Sequence, residues 1–135
     1  MKRVLVLYSS LRGHTARVSR RICESIGAAG GRADMMEVTE AIHEGVDWGR
    51  YDVVVLGAPV IYGNYDKAFM EFVRCHRAEP DARPNSFFNL SVVARTPAKA
   101  TVEGNRYMQK FLQLSPWKPK DLKVIAGKVN YPAWR

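Results

Sequence analysis

Apolar positions along the chain fall into two kinds of pattern. Segments that predict strands lie at residues 3–8, 32–38, 51–58, 86–93 and 122–126, the second being the weakest. The first segment and Val53–Leu56 in the third contain continuous apolar runs. Apolar side chains recur at helical spacing in three segments, at 18–26, 69–76 and 108–112. A strand-length run that is apolar throughout is typical of a strand buried on both faces. The pattern predicts the order β-α-β-loop-β-α-β-α-β, with at most a short helix in 39–50 and a turn at Pro80 and Pro84.

Alternation of strands and helices predicts an α/β fold with a doubly wound parallel sheet, right-handed crossovers and helices on both faces. We expect residues 1–135 to form a single domain. The chain stops soon after its fifth predicted strand, before a closing C-terminal helix could cross back. We therefore expect part of one sheet face to be uncovered here, and further natural sequence or a partner to cover it.

Composition narrows the class without naming a function. The 135 residues are 47% hydrophobic and 25% charged, as in ordinary globular proteins. No apolar run approaches the ~20 residues of a membrane helix or the ~7–15-residue core of a signal peptide, so a cytoplasmic protein is expected. Cys23 and Cys75 lie in helical patterns, and we expect both to be small, buried or half-buried side chains. Neither a disulfide framework nor a metal site is expected.

The net charge of +8 suggests an anionic partner, which could be nucleic acid, an acidic ligand or a membrane face. No base-stacking or groove-reading motif accompanies the charge, so no nucleic acid is expected as a partner.

The loop after the first strand carries the strongest chemical signal. Ser9, Ser10 and Thr15 supply three hydroxyls around Gly13, directly before a helix. The free N–H groups of a helix N-terminus favour a phosphate. A simple helix cap is the alternative, but a cap needs a single hydroxyl. The loop is therefore interpreted as a phosphate site.

Several phosphate-binding classes are excluded by what the loop lacks. The glycine patterns of dinucleotide-binding and triphosphate-binding loops are absent. No cysteine follows the first strand, as a phosphatase of this architecture would need. The carboxylates of a response-regulator receiver are also missing, since Ser9, Ser10 and Ala58 stand at the strand ends.

The run Val6-Leu7-Tyr8-x-Ser10-x-x-Gly13-x-Thr15, followed by Ile22, resembles the phosphate loop of flavodoxins, with Ser19 where that signature has alanine. The resemblance implies a five-stranded sheet of order 2-1-3-4-5 and FMN as cofactor. It implies that the FMN phosphate is held by Ser9, Ser10, Leu11, Arg12, Gly13, His14 and Thr15.

Two further loops are expected to hold the flavin ring. Such a ring needs an apolar or aromatic wall and nearby backbone amides, and Tyr62 and Tyr65 supply aromatic faces. Packing of the turn is the alternative for either tyrosine. The expected contacts are Pro59, Val60, Ile61, Tyr62, Gly63 and Tyr65, joined by Ala94, Arg95 and Thr96 after the fourth strand.

Two stretches narrow the family: Gly57-Ala58-x-x-x-Tyr62-Gly63-x-Tyr65-x-x-Ala68-Phe69, and Val92-Val93-Ala94-Arg95-x-Pro97-x-Lys99 with Asn105-x-Tyr107. They resemble the bacterial quinone-dependent protoporphyrinogen dehydrogenases, a flavodoxin-like branch of haem synthesis. The family continues beyond Tyr131-Pro132 into a basic, partly apolar insertion and a closing strand and helix, which we expect to meet membrane or substrate.

This resemblance implies oxidation of protoporphyrinogen IX at FMN and electron transfer to a membrane quinone, menaquinone or ubiquinone. It also implies peripheral association with the anionic inner face of the cell membrane. We expect no catalytic side chain, because the flavin carries the hydride chemistry. Arg95 and Lys99 are expected to meet the substrate propionates, with solvated surface charge as the alternative. An NAD(P)H:quinone reductase and a non-enzymatic electron carrier remain open, although carriers of this fold are typically acidic.

Overall fold

The sheet has five parallel strands in the order β2-β1-β3-β4-β5. In this computed structural model the described residues are 2–10, 13–60, 64–91, 102–103 and 105–126. The strands are β1 Arg3–Tyr8, β2 Arg32–Glu37, β3 Val53–Pro59, β4 Asn85–Ser91 and β5 Leu122–Ala126. The predicted strand order and parallel direction are confirmed.

Helices lie on both faces of the sheet. They are α1 His14–Ala28, α2 Val38–Glu44, α3 Lys67–His76, α4 Ala78–Asp81 and α5 Arg106–Leu114, with a 3-10 turn at Trp48–Arg50. Apolar residues of α2, α3 and α5 form one core with one face of the sheet. Those of α1 form the second core with the other face. This division follows from β-strand geometry, because successive side chains point to opposite faces.

The first core is built around aromatic rings. Phe87 and Phe111 stack with ring centroids 4.0 Å apart, and the buried Trp117 ring lies edge-on to both. Large rings bury much apolar surface, so this cluster fixes α5 against β4.

The uncovered apolar face expected from the sequence is not found among the described strands. On the α1 face, Phe88, Leu90 and Ile125 are only 0%, 5% and 2% exposed. Part of the reason is local. Phe88 pairs in register with Gly57, and its ring fills the space that a side chain at Gly57 would occupy.

Element bounds differ from the prediction in a few places. α2 begins at Val38, which was predicted to end the second strand, and the 3-10 turn lies within the segment 39–50. β3 extends through Pro59. Pro80 lies within the single turn of α4, where a missing N–H removes no helical bond. The predicted end of the fourth strand at 92–93 lies outside the described residues.

The two cysteines have different environments. Cys23 is half-buried as predicted, and burial raises the pKa of its thiol to about 11. The prediction for Cys75 is wrong, because this residue is exposed. The buried face of α3 carries Phe69, Phe72 and Val73, and Cys75 lies off that face. No helix in the described part of the chain is long and apolar enough to cross a membrane.

Candidate functional site

The carboxyl ends of β1 and β3 meet at the point where the strand order reverses. β1 continues into α1 on one face of the sheet, whereas β3 leads to α3 on the other. In open α/β sheets, connections that leave on opposite faces border the crevice in which ligands bind. The topology therefore brings the two principal loops predicted from the sequence to one edge.

The loop after β1 is shaped by Gly13. This residue has φ +83°, a left-handed conformation that favours glycine, and its N–H donates to Ser10 Oγ over 3.0 Å. The first helical hydrogen bond of α1 runs from Arg17 N–H to Gly13 O at 3.1 Å. The N–H groups of Thr15 and Ala16 precede that bond and have no carbonyl of α1 to reach. They are backbone hydrogen-bond donors at the N-terminus of α1, where the helix dipole is positive.

Thr15 gives the most direct indication of a ligand. Its side chain is buried, with 1% exposure, and its Oγ1 has no hydrogen-bond partner. A buried hydroxyl without a partner costs about 1–3 kcal/mol. Thr15 lies in the first turn of α1, whose backbone N–H groups a phosphate would use. The residue thus fits an anionic group bound at this helix end.

Ser9 is buried and already engaged. Its hydroxyl donates to Asp66 Oδ2 over 3.1 Å, and its N–H donates to Gly57 O over 3.0 Å. The Ser9 proton is therefore committed to Asp66. Among the three hydroxyls of the loop, those of Ser10 and Thr15 remain as donors for a phosphate. Sequence reasoning missed Asp66, because an aspartate directly before a helix is typical of an N-cap. Here its side chain makes no cap bond.

His14 is joined by a residue that the sequence did not single out. Arg17 Nη2 lies 2.6 Å from His14 Nδ1. A guanidinium can only donate, so Nδ1 is the acceptor in this contact. The spacing of three residues along α1 was the available signal.

The loop after β3 is partly described. Pro59 is buried in the strand, and the Val60 N–H donates to Leu90 O over 2.9 Å. Ile61, Tyr62 and Gly63 lie outside the described residues, so their predicted ring contacts stay predictions.

Tyr65 packs in the core. Its ring lies 5.5 Å from Phe111 and 6.1 Å from Phe87, centroid to centroid, and the residue is 8% exposed. Its hydroxyl donates to Tyr107 O over 2.6 Å. These contacts match the packing alternative and disfavour Tyr65 as an aromatic wall of the ring site.

A buried polar network ties this loop to its neighbours. Asn89 Nδ2 donates to Tyr65 Oη (3.3 Å) and to Asn105 Oδ1 (3.2 Å), and the latter oxygen also accepts from Met108 N–H at the start of α5. Both acceptors require the NH₂ group of Asn89, so its orientation is determined and its Oδ1 has no partner. Burial raises the pKa of Tyr65 to about 12. The network thus fixes three segments beside the crevice: the loop after β3, β4 and the start of α5.

The remaining predicted contacts lie outside the described residues. These are Leu11, Arg12, Ala94, Arg95, Thr96 and Lys99. Their assignment to phosphate, ring or substrate stays a prediction.

Comparison with known proteins gives concordant matches. The flavodoxin domain family matches residues 5–135. Protoporphyrinogen IX dehydrogenase [quinone] of Escherichia coli (strain K12) is 37% identical over 133 residues, covering 98% of this chain and 72% of the relative. The protein of the same name from Leishmania major is 33% identical over 131 residues, covering 96% of this chain and 56% of the relative.

Solved structures agree on the fold. A Fusobacterium nucleatum flavodoxin bound to flavin mononucleotide superposes with a TM-score of 0.57 at 13% identity, covering 93% of this chain and 79% of the flavodoxin. With the strand order, the domain match and relatives that align with 96–98% of this chain taken together, the chain belongs to the flavodoxin-domain family of quinone-dependent protoporphyrinogen IX dehydrogenases, which are oxidoreductases.

Proposed function

We propose that this protein is an FMN-dependent dehydrogenase that oxidises protoporphyrinogen IX to protoporphyrin IX, with a membrane quinone as electron acceptor. The observation that carries the proposal is the 37% identity to the Escherichia coli enzyme over 98% of this chain. A flavodoxin domain alone would not name the substrate, because one fold hosts many reactions.

The described residues of the β1 loop fit the phosphate of FMN. The hydroxyls of Ser10 and Thr15 and the backbone N–H groups of Thr15 and Ala16 all donate, and a phosphate only accepts at neutral pH. The buried Thr15 hydroxyl supports this assignment, because a phosphate oxygen would give it the partner it lacks. The sequence has no second glycine turn for a pyrophosphate, which favours FMN over FAD.

At the ring end the chain's role is to bind and orient. The flavin, when bound, accepts hydride from the substrate and passes electrons on. We assign the ring wall to the 59–63 loop with Tyr62, and the third contact to Ala94, Arg95 and Thr96. We assign Arg95 and Lys99 to the propionates of the substrate. No general base is assigned to any side chain.

A quinone dissolved in the bilayer requires the protein to reach the membrane surface. We propose peripheral association with the anionic inner face, supported by the net charge of +8. Sedimentation with anionic vesicles at low and at high salt tests this. Binding that is lost at high salt agrees with the proposal, and its absence at low salt contradicts it.

One anaerobic experiment tests the activity. The flavin-loaded protein is mixed with protoporphyrinogen IX, and loss of the flavin absorbance is followed, with NADH and NADPH as parallel donors. Reduction by protoporphyrinogen IX, followed by reoxidation with a quinone, is expected. Reduction by the nicotinamides alone favours a NAD(P)H:quinone reductase, and reduction by none of the three favours a carrier. Flavin released by heat and weighed by mass spectrometry separates FMN from FAD.

A further inference from the structure

A polar pocket lies at the amino ends of β1 and β2. Its volume is about 190 Å³, and its lining residues are Arg3, Arg32, Asp34, Arg50 and Tyr51. All strands of the sheet are parallel, so this edge is opposite the edge that carries the β1 loop and Thr15. The pocket therefore belongs to neither the crevice nor the proposed flavin site.

Strand register places two of these arginines side by side. Arg3 on β1 pairs with Arg32 on β2, so both side chains leave the same face of neighbouring strands. Like charges in such positions repel. The backbone at both residues is fixed. Arg32 N–H donates to Lys2 O, and Arg3 N–H donates to Asp52 Oδ2, both over 2.9 Å. The two guanidinium groups thus leave neighbouring, anchored positions.

The pocket holds more positive than negative charge. Within the described part of the chain, neither ion pair found, Arg74–Glu71 or Arg83–Glu79, involves a pocket residue. The pocket's one carboxylate, Asp34, accepts a hydrogen bond from Tyr51 Oη over 2.8 Å. Asp52 is not among the lining residues, but it accepts the Arg3 N–H, and this bond together with the nearby Arg3 charge lowers the pKa of the Asp52 carboxyl.

We propose that this pocket binds a free dianion of the phosphate type, either inorganic phosphate or the phosphate group of a small monoester. Three guanidinium groups against one carboxylate leave an excess of charge that a dianion would neutralise. The planar donor fork of arginine matches the oxygens of a phosphate. A bound dianion also removes the repulsion between Arg3 and Arg32.

A phospholipid headgroup offers the same chemistry but fits the molecule less well. Docking of the pocket onto a bilayer would turn the opposite edge, with Thr15 and the crevice, away from the membrane. That orientation conflicts with electron transfer to a quinone dissolved in the bilayer. A free ligand has no such conflict.

The test uses the FMN-loaded protein, in which the β1 loop is occupied. Inorganic phosphate is titrated calorimetrically at constant ionic strength into the wild type, Arg32→Gln and Arg21→Gln. Arg21 is an exposed residue of α1, so its replacement is a matched change of charge away from the pocket. We expect Arg32→Gln to weaken phosphate binding roughly tenfold, corresponding to loss of one charge-assisted contact. Arg21→Gln should leave the affinity unchanged.

Two further arms keep the result unambiguous. Arg50→Gln should weaken phosphate binding as Arg32→Gln does, and melting temperatures check that each variant is folded. Thr15→Val should retain phosphate binding, which separates this pocket from the flavin site even if FMN does not bind. Equal affinities of Arg32→Gln and Arg21→Gln would overturn the proposal. So would binding of phosphatidylglycerol vesicles that needs Arg32 while inorganic phosphate does not bind, since that assigns the pocket to lipid.

Discussion

The two ends of the sheet present polar groups in opposite ways. At the carboxyl end some of the polar groups are neutral and buried, and two of these, Thr15 Oγ1 and Asn89 Oδ1, have no partner. At the amino end Arg3, Arg32 and Arg50 are charged, exposed and outside the described ion pairs. Burying an unpaired hydroxyl costs stability in the free protein, whereas an exposed guanidinium remains hydrated and costs little.

This difference shows which kind of polar group gives the clearer indication of a ligand site. A buried polar group without a partner needs an explanation, and such groups are more frequent at functional sites. Exposed charges are cheap, so they reveal a ligand only through their geometry, as in the register of Arg3 with Arg32. The carboxyl end should therefore select by fit and the amino end by charge.

The largest effect on stability should come from adding a side chain at Gly57, where β3 packs tightly against Phe88. A Cβ atom at Gly57 would lie 2.0 Å from Phe88 Cζ, and Gly57 O anchors the Ser9 N–H. Gly57→Ala should lower the free energy of unfolding by about 3 kcal/mol and weaken FMN binding through the displaced loop. Urea denaturation measures the first effect. Arg32→Gln is the control at the amino end, where the change in stability should be under about 0.5 kcal/mol. Equal losses in both variants would erase the contrast between the two ends.

The next effect tests the buried hydroxyl directly. Thr15→Val keeps the side-chain shape and removes the hydroxyl, so FMN binding should weaken by about 1.5–3 kcal/mol if the lost bond is charge-assisted. The apo-protein should gain about 1 kcal/mol, because a buried unpaired group is gone. Flavin fluorescence quenching and thermal melting report the two values.

Thr15→Val is thus expected to weaken FMN binding and to stabilise the apo-protein, a combination that general damage to the fold would not produce. Thr39→Val, at an exposed hydroxyl bonded to Glu37, is a control that should leave FMN affinity unchanged. An apo-protein destabilised by Thr15→Val, with normal FMN affinity, would show that the hydroxyl has a structural role instead.

Sequence patterns predicted the frame of the molecule well. The bounds of β1 and β5 match the apolar runs, and the face of α3 follows from Phe69, Phe72 and Val73. These features depend on local periodicity, which the sequence displays directly. The β1 loop could also be predicted, because hydroxyls around a glycine directly before a helix favour a cap or an anion site by local geometry alone.

The parts that could not be predicted depend on tertiary contacts. Tyr65 lies in a loop by pattern, yet its ring enters the core because Phe87 and Phe111 leave an aromatic-lined space beside it. The bond from Ser9 to Asp66 joins residues that are 57 positions apart. No pattern in the chain announces such a pair. The arginine pocket depends on the register that pairs Arg3 with Arg32, and strand order alone does not determine that register.

A smaller effect on stability is expected from the Asn89 network, which is not assigned to a ligand. Tyr65→Phe removes the bond to Tyr107 O and the acceptor for Asn89, so at pH 7 it should cost about 1–2 kcal/mol of stability. The stability that the Tyr65 hydroxyl contributes decreases at high pH. Because the pKa of Tyr65 is about 12 in the folded protein and 10.0 for an ordinary tyrosine, its contribution to stability is complete below pH 10 and is lost as pH rises toward 12. The gap between wild type and Tyr65→Phe should therefore narrow above pH 10. A gap that is constant from pH 8 to pH 11.5 in urea denaturation would contradict a buried, neutral hydroxyl.

The smallest expected effect is the difference in salt response between the two ends. If neutral hydroxyls and N–H groups hold the phosphate at the β1 loop, raising ionic strength from about 0.05 to 0.5 M should change FMN affinity by less than roughly threefold. Phosphate binding at the arginine pocket should weaken by roughly tenfold over the same range, since exposed charges are screened within about 10 Å or less. The nearby Arg17, exposed on α1, adds a modest salt-dependent term to the first value. Arg17→Gln removes that term and provides the control. If FMN affinity falls as steeply as phosphate affinity, and Arg17→Gln abolishes the slope, then charge rather than fit holds the anion at both ends of the sheet.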